Sequence, residues 1–175
     1  MSAPAPGTER AWVGVGANLG DARATVERAL RDLAALSMAE PARASSLYRT
    51  EPLGDPGQPW YVNAVAEVDT DLSPLELLAA LHRLERRAGR PQERQRWAPR
   101  ELDLDLLLFG ERVLETADLV LPHPGLALRR FVLEPLAELA PSVRDPRTGR
   151  SAAELLAGLD DPLRVEKLPS VGAPS

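Results

Sequence analysis

RELDLDLLLFG, residues 100–110, is the stretch on which the fold turns. Leu102, Leu104, Leu106, Leu107, Leu108 and Phe109 mark it as a buried strand, yet Asp103 and Asp105 sit inside it. A bare charge removed from water costs several kcal/mol even after relaxation. Successive side chains on a strand point to opposite faces, so Asp103 and Asp105 share one face. Leu102, Leu104 and Leu106 then share the other. The spacing predicts a strand with one packed face and one carboxylate face. Two carboxylates this close repel, and three arrangements tolerate them: a bridging divalent cation, protonation of one, or pairing with arginines. Taken alone, the Asp-x-Asp pattern is also compatible with a solvated strand face carrying salt bridges.

The residues just upstream bear on that choice. Arg86, Arg87, Arg90, Arg94, Arg96 and Arg100 cluster before the strand. The planar guanidinium fork can bind two phosphate oxygens at once. A carboxylate pair beside such a cluster is what nucleotide-dependent phosphoryl transfer needs, with a metal bridging phosphate oxygens and arginines offsetting charge. The alternative is a solvated loop in which the arginines pair with Glu85, Glu93 and Glu101.

Composition narrows the chemistry. A chain of 175 residues favours one compact domain able to bury its own core. Its net charge of -5 does not favour nucleic acid or an anionic membrane as partner. There is no cysteine, which excludes disulfides, thiolate-bound zinc and a cysteine nucleophile. Lys167 is the single lysine, and a Gly-Lys-Ser/Thr phosphate loop is absent, so arginines must serve any phosphate. Histidine is limited to His82 and His123, which leaves carboxylates, suited to magnesium or manganese, for metal chemistry. No apolar run is long enough to span a bilayer, and a cytoplasmic protein is expected.

Outward from residues 100–110, the expected order is α+β. Residues 1–10 read as a disordered segment, 11–166 as the folded domain and 167–175 as a loose tail. AWVGVGANLG (11–20) reads as a strand entering a turn, and DARATVERALRDLAAL (21–36) as an amphipathic helix capped by Asp21. RASSLYRT (43–50) and WYVNAVAEVDT (60–70) read as strands around a Pro- and Gly-rich loop. On the second, Tyr61, Asn63 and Val65 share a face; an aromatic ring and an amide there could stack on and hydrogen-bond a planar heterocycle, or simply pack. LSPLELLAALHRLERRAG (72–89) carries a capping box of Ser73 and Glu76. ERVLETADLVLP (111–122) suggests a small hairpin, HPGLALRR a loop holding His123, and FVLEPLAELAP (131–141) and SAAELLAGL (151–159) two short helices. The irregular alternation favours an antiparallel or mixed sheet over a doubly wound one.

Four segments, GVGANLGD (14–21), SSLYRTEPLGDPGQPWYVNAV (45–65), RWAPRELDLDLLLFG (96–110) and LPHPGLALRRFVLEPLAELAP (121–141), closely resemble, in this order and spacing, the 6-hydroxymethyl-7,8-dihydropterin pyrophosphokinase family of the folate pathway. The run R-W-x-P-R-x-L-D-L-D is highly specific, and the resemblance covers roughly residues 11–158. It implies a ferredoxin-like core and transfer of pyrophosphate from ATP to the pterin hydroxymethyl group, giving AMP. It implies two magnesium ions held by Asp103 and Asp105. Arg90 and Arg100 would hold the ATP phosphates, and Trp97 would close a mobile loop. Tyr61 and Phe131 would sandwich the pterin, Asn63 would read its polar edge, and Thr50 and Leu53 would line the pocket through backbone groups. Glu85, Leu106, His123 and Arg129 would contact the nucleotide. The Asn18–Gly20 turn and the 51–59 loop would be two of three flexible loops. A monomer is expected. Ala17, His82, Gln92, Glu93 and Pro124 depart from residues frequent in the family and bear on ATP affinity and loop closure. Two other readings are a ferredoxin-like RNA-binding module, opposed by the acidic balance, and an Asp-x-Asp nucleotide-sugar transferase, for which the chain is short.

Overall fold

A computed structural model describes residues 3–4, 6–39, 42–52, 56–89 and 101–169. The elements are β1 (Glu9–Ala17), α1 (Ala22–Leu36), β2 (Arg43–Ala44), β3 (Tyr48–Thr50), β4 (Tyr61–Thr70), α2 (Pro74–Arg87), β5 (Asp103–Phe109), β6 (Leu114–Glu115), β7 (Val120–Leu121), α3 (Arg130–Leu139), α4 (Ala152–Ala157) and β8 (Val165–Lys167). A one-turn 3-10 helix, Leu126–Leu128, precedes α3.

The main sheet runs β5-β1-β4-β3-β8, with β2 also on β4, and every pairing is antiparallel. Taken in chain order, β1-α1-β3-β4-α2-β5 is the β-α-β-β-α-β ferredoxin-like arrangement. The expected α+β class and ferredoxin-like core are therefore what the chain adopts.

Local signals explain where the helices begin. Asp21 accepts the Ala24 N–H at 3.0 Å and starts α1. Ser73 and Glu76 form a reciprocal capping box at α2, and Ser151 and Glu154 form a second at α4. Each satisfies backbone N–H groups that the helix itself cannot.

The sheet buries a different apolar layer on each face. Val13, Val15, Ala64, Ala66, Val68, Leu104 and Leu106 pack with Val26 and Leu33 of α1 and Leu77 and Leu81 of α2. Each such leucine contributes about 1.5–3 kcal/mol by leaving water. On the other face Trp12, Val65, Leu107 and Leu108 pack with Val132, Leu133 and Leu136 of α3 and Leu155 of α4. This second layer covers only one end of its face. The other end carries the polar groups.

Three boundaries differ from expectation. The first strand begins at Glu9, two residues earlier, so Glu9 and Arg10 belong to the sheet; Arg10 Nε donates to Asp69 Oδ1 at 2.6 Å. The 43–50 strand is split into β2 and β3 where the Ser45 Oγ, in place of a backbone carbonyl, accepts the Val65 N–H of β4 at 2.9 Å. Lys167 is not loose: Val165–Lys167 extend the sheet beside β3, and the Lys167 ammonium lies 3.1 Å from Glu138. The 111–122 hairpin is present as β6 and β7.

Strict alternation also fails once inside β5. Trp12 faces Leu108 and Val13 faces Leu106, so Leu107 is an extra residue, a β-bulge. Leu107 and Leu108 therefore join one layer, while Leu106 and Phe109 join the other.

Candidate active site

The register sets the polar end of the sheet side by side. Asp103 is opposite Gly16 and Asp105 is opposite Gly14; Gly16 is in turn opposite Asn63, and Gly14 opposite Val65. Directly opposed residues of an antiparallel pair share a face. Asp103, Asp105, Asn63 and Tyr61 thus look out from one surface, with two glycines forming a low floor between them.

That floor is a steric requirement at Gly16. A Cβ there would come within 2.6 Å of Asn63 Oδ1. Asn63 is 6% exposed, and its Nδ2 donates to Thr50 Oγ1 at 2.7 Å. Thr50 itself lies opposite Tyr61 at the start of β4.

These groups line a cleft of about 240 Å³. Its walls include Thr50, Glu51, Tyr61, Asn63, Asp103, Asp105, His123, Arg129, Phe131 and Val132. A second cleft of about 270 Å³ shares Asp103, Asp105 and His123 and continues over the open edge of β5, lined by Leu78, His82, Glu85, Leu104, Leu106, Asp118 and Pro124 among others. Asp103 and Asp105 therefore stand at the junction of two clefts.

His123 is held at that junction by β5 and by its own loop. Its backbone N–H donates to Leu107 O, and its Nδ1 accepts the Gly125 N–H, each at 2.9 Å. Its Nε2 lies 3.8 Å from Asp105 Oδ1. Burial pushes its pKa below the usual imidazole value; Asp105 opposes this, while Arg129 reinforces it and Asp103 again opposes it. The neutral ring, with Nδ1 accepting, carries its proton on Nε2 and faces the carboxylates with a donor. Arg129 folds over Gly125, where a Cβ would meet the guanidinium carbon at 2.8 Å, and lies 5.8 Å from the Phe131 ring centroid.

Of the residues singled out in the sequence, Thr50, Tyr61, Asn63, Asp103, Asp105, His123, Arg129 and Phe131 come together in the first cleft. Glu85 and Leu106 line the second, but each also has a structural task. Glu85 is 2% exposed, and its Oε1 accepts the Leu104 N–H at 2.8 Å, so it satisfies the unpaired edge of β5. Leu106 belongs to the core under α2. Leu53, Arg90, Trp97 and Arg100, with Gln92 and Glu93, lie outside the described residues. The Asn18 turn and the 51–59 loop are linked: Asn18 Nδ2 donates to Pro59 O at 3.1 Å.

Sequence reading passed over Gly16 and Glu51 as site residues. Gly14-x-Gly16 is a period-two pattern that mirrors Asp103-x-Asp105, and pairing the two strands would have found it. Glu51 has no such signal.

The carboxylate pair fits magnesium on its donor chemistry. Both are hard oxygen donors beside an open glycine floor, and the Asp105 side chain is 38% exposed. Among the described residues no group of three or more His, Asp or Glu forms a complete cage. Magnesium is ordinarily held by one or two carboxylates together with substrate phosphates, not by an all-protein cage.

Comparison with known proteins decides the family. The model of the 7,8-dihydro-6-hydroxymethylpterin-pyrophosphokinase (HPPK) family matches residues 12–141. The chain belongs to this family. It is 44% identical over 162 residues to 2-amino-4-hydroxy-6-hydroxymethyldihydropteridine pyrophosphokinase of Pseudomonas aeruginosa, covering 92% of this chain and 98% of that protein. A Synechocystis pyrophosphokinase of the same name is 43% identical over 150 residues, covering 86% and 76% of the two chains. Among solved structures, Plasmodium falciparum HPPK-DHPS, wild type with pteroate, superposes with a TM-score of 0.66 at 13% identity. That match covers 86% of this chain and 44% of the Plasmodium chain, and supports the fold. As a member of the HPPK family the protein is an enzyme, a pyrophosphokinase. No helix among the described residues is long and apolar enough to cross a membrane.

Proposed function

We propose that the protein transfers the pyrophosphoryl group of ATP to the hydroxymethyl oxygen of 6-hydroxymethyl-7,8-dihydropterin, with magnesium, in folate biosynthesis. The carrying observation is the shared floor: the carboxylates of Asp103 and Asp105 stand on the same sheet surface as Asn63 and Tyr61, at the junction of two clefts. One cleft is the size of a flat bicyclic ligand and offers two aromatic rings with a buried amide. The other runs over the edge of β5, where leucines and Val120 alternate with His82, Glu85 and Asp118, a mixed lining suited to a nucleoside.

In this reading Tyr61 and Phe131 flank the pterin ring and Asn63 reads its polar edge, held in one orientation by Thr50. The resemblance adds a backbone contact from Leu53. Glu85, Leu106, His123 and Arg129 take the nucleotide side, and the resemblance assigns the ATP phosphates to Arg90 and Arg100 and loop closure to Trp97. Asp103 and Asp105 hold the two magnesium ions. When bound, magnesium supplies charge neutralisation across the phosphate oxygens and lowers the pKa of the attacking hydroxyl.

The bond change is simple. The pterin oxygen bonds to the β-phosphorus, the bond from that phosphorus to the α–β bridging oxygen breaks, AMP leaves with that oxygen, and the hydroxyl proton is released. Little covalent work falls to the protein, so alignment of the two substrates across the aspartate pair carries most of its contribution. The test is AMP formation from ATP, magnesium and the pterin. AMP that forms only when all three are present is the expected result, and no pterin-dependent AMP overturns the reading.

A further inference from the structure

We infer that Asp161 and Arg164 are positioning residues that tie the α3 side of the pterin cleft to its β3–β4 side; the inference rests on the pterin reading above. Both lie beyond residues 12–141, the stretch matched by the family model.

Asp161 grips the α3 side. Its Oδ2 accepts the Arg130 N–H at 2.8 Å, and its backbone carbonyl accepts from Arg130 Nε at 3.3 Å. Arg130 is the first residue of α3 and sits between Arg129 and Phe131, which both line the cleft. A carboxylate here satisfies an N–H that the helix leaves unpaired and complements the helix dipole.

Three residues later, Arg164 grips the other side. Its N–H donates to Glu51 Oε2 at 2.9 Å, its Nε donates to Glu51 Oε1 at 3.1 Å, and its carbonyl accepts the Glu51 N–H at 3.1 Å. Glu51 and its neighbour Thr50 line the cleft. The Arg164 guanidinium also lies 5.1 Å from the ring centroid of Trp60, with Arg49 at 4.5 Å; Trp60 immediately precedes Tyr61. Val165 then continues as a sheet partner of Thr50.

The link between the two grips is short and stiff. Three residues span at most about 10 Å fully extended. Pro162 fixes one dihedral, and Asp161 Oδ1 closes a local turn by accepting the Leu163 N–H at 3.0 Å. Phe131 and the Thr50–Glu51 edge therefore cannot separate far without breaking one grip, and the strap sets the cleft's width.

Steady-state kinetics on the full chain test this. Arg164→Ala and Asp161→Ala are each expected to raise KM for the pterin about three- to tenfold, in keeping with loss of one ion pair or one helix cap. The same variants keep KM for ATP, and kcat at saturating pterin, within about twofold of the parent. Asp161→Asn, which keeps one acceptor oxygen and so can hold the Arg130 N–H or the Leu163 N–H but not both, is expected to raise the pterin KM less than Asp161→Ala. Arg144→Ala, which removes an exposed pair with Glu154 in the same C-terminal region, should change neither KM. An active parent whose two alanine variants keep the parent pterin KM overturns the strap. So does a parallel loss in both KM values and kcat that follows a lowered melting temperature. A parent with no pterin-dependent turnover overturns both the strap and the reading on which it rests.

Discussion

Gly16 and Asn63 face each other across β1 and β4, and the Asn63 amide oxygen occupies the space where a Gly16 side chain would begin. Gly16→Ala must therefore push Asn63 out of its hydrogen bond with Thr50. We expect kcat/KM for the pterin to fall by roughly ten- to a hundredfold, the equivalent of a 1–3 kcal/mol overpacking cost. An alanine variant with parent kinetics would show that Asn63 does not need its present position.

Asn63→Leu keeps the volume and removes both amide groups. A site built to hydrogen-bond a substrate loses much more than a methylene's worth when the partner is absent. Pterin KM should rise at least about tenfold while KM for ATP stays near the parent value. Isothermal titration with each substrate separately checks the asymmetry.

Asp103→Asn and Asp105→Asn should each lower turnover at least about a hundredfold, whatever the magnesium concentration. Neither should lower the melting temperature by more than a few degrees, because both side chains stand on the half-exposed face, outside the apolar core. Turnover close to the parent in either variant would take the metal away from that carboxylate.

Glu85→Leu leaves the Leu104 N–H buried without its acceptor. It should cost about 1–3 kcal/mol, lowering the melting temperature by roughly 2–10 °C for a chain of this size. Glu85→Gln retains an acceptor oxygen and should lose much less. Thermal melts of the two proteins separate this structural task from any nucleotide contact.

The Tyr48 hydroxyl donates to Glu138 Oε2 at 2.5 Å. Burial, then the bond to Glu138, pushes the Tyr48 phenol well above its usual range. Burial raises the Glu138 carboxyl, but the hydrogen bonds from Tyr48, Ser46 and Lys167 outweigh it and hold the group below 4.5. A carboxyl with a lowered folded pKa stabilises above its unfolded value and loses that contribution as pH falls through the folded one. Tyr48→Phe should therefore be less stable than the parent by about 1 kcal/mol near neutrality, with the gap narrowing below about pH 4.5. Urea unfolding at a series of pH values reads both quantities.

Much of this was legible in the sequence because its signals are local. Ser73 with Glu76 and Ser151 with Glu154 each carry a cap in four residues. Asp103-x-Asp105 carries a face in three. What escaped depends on contacts between distant residues. Nothing around Leu107 marks a bulge, which arises only from its pairing with β1. Glu85 read as a partner of the arginine cluster or a nucleotide contact, and its acceptor task stayed hidden because it comes from β5, nineteen residues on. Lys167 looked like part of a tail because a three-residue strand has too few positions to show a period, and its sheet partner Tyr48 lies far away in sequence.

The extra residue at Leu107 gives β5 two independent phases. Upstream, the strand keeps the alternation that aims Asp103 and Asp105 outward; downstream, Leu108 and Phe109 obey a shifted one. A change in the leucines that pack against α3 thus acts on the shifted phase and leaves the facing of the carboxylates as it is. The carboxylate end of the strand is insulated from changes at its packing end.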